Sequence, residues 1–216
     1  MKMTEIKHHL NDQLLIGYSA GSLPEAFSLI VATHISLCDE CRARLAEFDA
    51  VGGQVMMQSQ TAEMSEDGLA ETLARIAGGA QAPAPTARRS GVFPRPLQGY
   101  VQGDVEAVKW KRVGGGVRQM MLSTDGQATA RLLYIPAGVA VPDHGHRGTE
   151  LTLVLQGAFE DETDHFGRGD IEIADEDLNH QPVAAHGADC ICLAVTDAPL
   201  RFSGIIPRIA QRFMQI

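Results

Sequence analysis

The hydrophobic period of this 216-residue chain changes once, from a helical repeat to a repeat of two, and a segment rich in Pro, Ala and Arg lies at the change. The first 80 residues read as helices. Asn11 or Asp12 caps a short first helix carrying Leu14, Leu15 and Tyr18, and Gly21 stops it. Ser22, Pro24 and Glu25 form a capping-box start for a second helix to about Leu37, with Phe27, Ile30, Val31 and His34 on its apolar side. A third starts at Cys38 or Asp39 and carries Leu45, Phe48 and Val51 toward Met56, with Gly52 and Gly53 as a weak point. Ser65 caps a fourth, bearing Leu69, Leu73 and Ile76 ahead of Gly78 and Gly79.

Residues 81–96, QAPAPTARRSGVFPRP, have no apolar period and read as an extended, partly stiff linker. Beyond it, the runs ATARLLYIP, TELTLVLQGAF, GDIEIA and DCICLAVT alternate with Gly, Pro and Asp turns, which indicates a β-sandwich or barrel. The expected fold class is α+β in two domains: an all-α four-helix unit over 1–80, the linker 81–96, and an all-β unit over 97–216. Residues 207–216 have room for a last helix or strand.

Apolar residues make up 44% of the chain, enough to bury a core. The longest apolar runs, such as Leu151 to Leu155, fall far short of the roughly 20 residues a bilayer requires, and the start MKMTEIKHHL has no apolar signal core. The cytoplasm is the expected compartment. Four cysteines there read as reduced thiols or metal ligands rather than disulfides. A net charge of −9 argues against direct nucleic-acid binding, which needs clustered Lys and Arg. Residues 1–80 hold 5 basic and 11 acidic residues, and 101–216 hold 10 and 16. Acidic surfaces suit a basic protein partner, although they also serve plain solubility.

Two separated sets of residues have metal-ligand spacing. His34 and Cys38 lie four apart at the end of the second helix and Cys41 follows three later, while His8 and His9 supply the nearby choices for a fourth ligand. The set His9, His34, Cys38 and Cys41 is soft and suits a structural zinc that fastens the first helix to the junction of the next two. Its thiolates are also open to oxidation, with loss of the metal. The second set, His144, His146, Glu150 and His180, is nitrogen and oxygen only and suits zinc, iron, manganese or copper. His-x-His in a strand turns both imidazoles to one face, Glu150 opens the following strand, and His180 arrives from a later one. Cys190 and Cys192 also share a face, as small core residues or as a redox pair.

The run GVAVPDHGHRGTELTLVLQG resembles the first cupin motif at every defined position, and GDIEIADEDLNH resembles the second at Gly169 and His180. Where that second motif has Pro, Gly and a trailing Asn, this chain has Asp175, Asp177 and Ala184, departures that bear on turn geometry and not on the ligand. With HHLNDQLLIGYSAGSLPEAFSLIVATHISLCDECRARL ahead of the linker, nearly the whole chain is similar to the ChrR group of zinc-binding anti-sigma factors. The resemblance implies an N-terminal zinc domain that clasps an extracytoplasmic-function sigma factor. It also implies a jelly-roll cupin that responds to singlet oxygen or organic peroxide, with a second divalent metal, zinc by preference, at His144, His146, Glu150 and His180. It implies no catalysis.

Two other functions fit parts of the chain. Three imidazoles and a carboxylate also serve cupin dioxygenases and isomerases, where the metal activates oxygen or substrate. A storage or sugar-binding cupin leaves the thiolate set unexplained. The helical domain has no role in small-molecule turnover and a ready one in partner binding.

Overall fold

The computed structural model describes residues 5–79 and 91–199, and the backbone of 201–202. Most of the expected linker and the segment 203–216 lie outside the described residues. The chain opens with α1 (Asp12–Ser19), α2 (Glu25–Ile35), α3 (Asp39–Gln58) and α4 (Gly68–Gly78). Asn11 caps α1 by accepting from the Leu14 N–H at 3.0 Å. The expected capping box on α2 does not form, because the Ser22 hydroxyl donates to the Gly17 carbonyl. Pro24 takes the cap position without a side-chain bond, and the Glu25 N–H goes instead to Asp125 Oδ2 at 3.1 Å, a carboxylate from a distant loop. α3 runs unbroken past Gly52 and Gly53. α4 begins at Gly68 behind Asp67, not at Ser65.

The expected four-helix core is a three-helix one. Leu69, Leu73 and Ile76 of α4 are 69%, 55% and 71% exposed, so this helix shows its apolar side outward. α2 is the opposite case, with Ala26, Phe27, Leu29, Ile30, Val31, Thr33 and His34 all buried. A helix covered on every side needs partners on every side. α1 and α3 supply some of them, and the rest come from the second half of the chain.

That half is not purely β. α5 (Arg95–Val101) and a 3-10 turn at Val105–Ala107 precede the strands. Phe93, Leu97 and Val101 recur every fourth residue and are all buried, a helical stripe that Pro94 and Pro96 obscure in the sequence. Packed structure therefore begins inside the stretch read as linker.

The strands are β1 (Lys111–Gly114), β2 (Val117–Leu122), β3 (Thr129–Ile135), β4 (His144–Gly145), β5 (Glu150–Gln156), β6 (Ala158–Glu160), β7 (His165–Gly167), β8 (Ile171–Ala174), β9 (Asn179–His180), β10 (Val183–Ala184), β11 (Cys190–Thr196) and β12 (Arg201–Phe202). They form a six-stranded sheet in the order β1-β2-β3-β11-β5-β8 and two three-stranded sheets, β10-β6-β7 and β12-β4-β9. Every pairing between them is antiparallel.

Register separates the two faces of the large sheet. Cys192 opposes Leu133 and Val154, Ala194 opposes Arg131 and Thr152, and Thr196 opposes Glu150. That face is the barrel interior, where Ile135, Val154, Cys190 and Cys192 meet Phe159, Phe166 and Ala184 from the β10-β6-β7 sheet. The other face presents Ala130, Leu132, Leu151, Leu153, Leu155, Ile171, Ile191, Leu193 and Val195, which share one apolar cluster with Leu10, Leu15, Phe27 and Ile30 of the helical region. All seven residues of β11 are buried. The near-continuous apolar runs of β5 and β11 are the mark of strands covered on both sides.

Because one core serves both halves, they should unfold together. Leu193→Ala removes a fully buried side chain at its centre and should cost about 2–5 kcal/mol. Helical circular dichroism and Trp110 fluorescence should still give one coincident transition at lower temperature, and two separated transitions would contradict the shared core.

Candidate metal centres

The thiolate set is assembled by a tight helix junction. His34 occupies the last turn of α2, Cys38 is the residue before α3 with its N–H on the His34 carbonyl at 2.8 Å, and Cys41 lies in the first turn. Cys38 Sγ accepts from the Cys41 N–H at 3.4 Å, the place on a helix where negative charge is favoured. His9 comes from the extended arm ahead of α1, and its Nδ1 stands 3.3 Å from Cys38 Sγ and 3.7 Å from Cys41 Sγ. Its Nε2 faces Glu40 at 3.3 Å, leaving Nδ1 for the cluster. His8, the other upstream histidine, turns away: it packs on Phe166 and lies 3.2 Å from Asp164.

The four ligand atoms of His9, His34, Cys38 and Cys41 lie within 4.8 Å of one another. His34 is fully buried and neither ring nitrogen has a hydrogen-bond partner, although the Gly169 backbone and Asp170 are near enough to act on the ring. Burial, then neighbouring His9, lowers its pKa to about 4. Burial likewise pushes the Cys41 thiol up to about 11. Both shifts favour the neutral forms of His34 and Cys41. Two sulfurs and two imidazoles at this spacing fit a tetrahedral divalent ion, which takes thiolate and neutral imidazole.

The second set lies at the barrel interior. β4 pairs with β9, setting His144 directly opposite His180, and His146 follows two residues on. The ring centroids stand 5.2, 4.8 and 5.3 Å apart, and one nitrogen from each ring lies within 4.8 Å of the others. Nδ1 of His144 donates to the Pro142 carbonyl at 2.9 Å, which gives the acceptor role to Nε2. Nε2 of His146 faces Nε2 of His180 at 3.4 Å. At that distance the two nitrogens share either a proton or a cation.

His180 is held from behind. Its Nδ1 donates to Asp161 at 2.7 Å and stands 3.2 Å from Glu172. Burial works against charge on this ring, but Glu172 and Asp161 outweigh it and hold its pKa near 9. Burial raises the Glu172 carboxyl. Asp161 is pulled down because bonds from Thr163 and His180 overcome its burial.

Glu150 is buried beside the imidazoles, with Oε2 3.3 Å from His146 Nδ1 and neither atom in hydrogen-bond geometry. An orphaned carboxylate oxygen next to three convergent imidazoles fits a cation site. Arg131, 5% exposed, shares this interior, where burial lowers its pKa and Glu150 pulls it back.

The structure thus brings together the four N-terminal residues and three of the four barrel residues, with Glu150 against the ring of His146. Cys190 and Cys192 lie in the same interior with their sulfurs 3.4 Å apart. His165 and His186 are exposed. Sequence reasoning missed Asp161, Glu172 and Arg131. Glu172 and Arg131 each interrupt an apolar strand, which was a usable signal, whereas Asp161 sits in a polar turn that looks like any solvated loop.

Residues 98–199 match the family described as the ChrR Cupin-like domain. The chain is 59% identical to the Anti-sigma-E factor ChrR of Cereibacter sphaeroides over 211 residues, which covers 98% of this chain and 99% of that protein. It belongs to the ChrR family of anti-sigma factors. The crystal structure of Rhodobacter sphaeroides SigE in complex with the anti-sigma ChrR matches with a TM-score of 0.78 and 58% identity, covering 89% of this chain and 99% of that one. ChrR-family proteins carry a regulatory name, so the dioxygenase or isomerase alternative gives way to a regulatory role for this chain. No helix among the described residues is long and apolar enough to cross a membrane.

Two tests follow for a ChrR-family protein built this way. Elemental analysis should find about two metal equivalents per chain, falling to about one in Cys38→Ser/Cys41→Ser. Asp161→Asn should keep the fold yet weaken metal binding in the barrel by about 10–100-fold in chelator competition. Unchanged affinity would show that Asp161 does not orient His180.

Proposed function

We propose that this protein is a cytoplasmic anti-sigma factor: residues 1–80 hold an extracytoplasmic-function sigma factor, 81–96 connect, and 97–216 form a metal-holding cupin that triggers release under oxidant. The observation that carries this reading is the uncovered apolar surface of α3 and α4. Val51, Val55, Met56, Met57, Leu69, Leu73 and Ile76 are all more than half exposed, a cost a soluble chain bears where a partner covers it. Leu69, Leu73 and Ile76 recur at helical spacing, so α4 offers one continuous stripe to a groove. The acidic balance of residues 1–80 suits a partner with basic DNA-binding surfaces. That the ChrR relative crystallised with a sigma factor supports the choice of partner.

His9, His34, Cys38 and Cys41 would hold a structural zinc, which supplies a cross-link between the arm, α2 and α3. His144, His146, Glu150 and His180 would hold the second divalent metal, zinc by preference, as the oxidant-sensitive centre. What the chain itself does is hold His180 through Asp161 and Glu172, so altered ligation at the imidazoles is felt by β8. The affected strand then biases the helices toward a state of lower sigma affinity.

A reporter driven by the sigma factor tests both halves. Leu73→Glu with Ile76→Glu should relieve inhibition at rest, because two charges enter the apolar contact. His180→Ala should still inhibit yet fail to release during singlet-oxygen generation. If α4 variants inhibit like wild type, the docking surface is wrong, and if His180→Ala responds like wild type, the cupin is not the sensor.

A further inference from the structure

The turn between β7 and β8 touches both ligand sets. Asp170, 4% exposed, accepts through Oδ1 from the N–H of Lys7 at 2.6 Å and of His8 at 2.9 Å, and through Oδ2 from the Gly167 N–H at 2.8 Å. A buried carboxylate bonded on both oxygens is a firm anchor. The residue that follows this grip is His9, and the Ile171 N–H on the His8 carbonyl at 3.4 Å adds to it. Gly169 has φ +95°, and a Cβ there would lie 2.6 Å from Ile6 Cδ1, so the turn is shaped to the arm. The same two residues, the Gly169 backbone and the Asp170 carboxylate, act on the ring of His34. On its far side the turn runs into β8, where Glu172 stands 3.2 Å from His180 Nδ1. A single residue, Ile171, therefore separates the carboxylate behind His180 from the carboxylate that holds the arm of His9.

We propose that Asp170 is a positioning residue that couples the two ligand sets, so that filling the barrel set raises the metal affinity of the thiolate set. The inference rests on both sets holding metal. With His180 held as a ligand its ring would be fixed, the ring would fix Glu172, and the strand segment is too short and stiff to absorb the difference before Asp170. The arm is then held in its ligating position before His9 is needed, which removes part of the ordering cost of the second binding event. By linkage the thiolate set favours the barrel set by the same factor.

Cobalt(II) titration of the full-length protein under chelator competition reads this directly, because sulfur-to-metal charge-transfer absorption reports the thiolate set alone. Emptying the barrel with His144→Ala/His146→Ala should weaken thiolate-set affinity by about tenfold, within the usual range of coupling between sites. In an Asp170→Ala background, the same loss should change affinity by a factor near one. Lys7→Pro, which removes one of the two gripped N–H groups and leaves the cupin turn intact, should reduce the factor in the same direction. A purely structural Asp170 would lower affinity in both barrel states and leave their ratio at tenfold. That result in both variants, or a ratio of one with Asp170 in place, overturns the coupling. Fewer than two metals in the wild-type chain overturns the paired-site reading and the coupling with it, and stoichiometry alone identifies that case.

Discussion

Burial of β11 on both faces sets the terms for everything else in this molecule. A strand covered on one side could sit at the surface of an independent barrel, but Ile191, Leu193 and Val195 need an apolar cover that the barrel cannot supply. α2 supplies it, with α1 and α5 in the same apolar cluster, and the sheet becomes a floor on which α2 can be apolar on every side. The other face of the same strand lines the interior that holds the imidazoles. Both candidate metal sets are thus referred to a single sheet, one through its inner residues and one through the helices resting on its outer side.

The histidines show how the sets are kept in shape before any cation arrives. Glu40 stands behind His9, the Pro142 carbonyl behind His144, and Asp161 with Glu172 behind His180, so each ring offers a defined nitrogen inward. His34 has no such support. A buried ring without a hydrogen bond costs about 1–3 kcal/mol per unsatisfied group. A cation at the four-residue cluster would offset this, which ties the packing of α2 against α3 to occupancy of that site.

Much of this was legible in the residues themselves. The period change separated helices from strands, and ligand spacing located both clusters, because coordination constrains local geometry as strongly as backbone does. Three features were not legible. The docking of helices on the sheet was hidden because the continuous apolar runs TLVL and CICLAV indicate strands of a sandwich or barrel without saying what covers them. α5 was hidden because Pro94 and Pro96 suggested a linker, although Phe93, Leu97 and Val101 keep helical spacing. The α2 cap was beyond sequence reasoning, since Asp125 reaches Glu25 across 100 residues and no local pattern announces it. Asp161 belongs to the same class: its role exists only because β6 and β9 come together in space.

The shared sheet face also bears on how such a chain can evolve. A helical domain joined to a barrel by a loose tether could be recombined with any other domain. Here a substitute for the barrel must bring its own apolar wall to match Leu10, Leu15, Phe27 and Ile30, or leave those side chains in water. The helical half and the barrel are therefore a single inheritable unit, and substitutions on the outer face of β5 or β11 answer to residues of α1 and α2 more than 100 positions away.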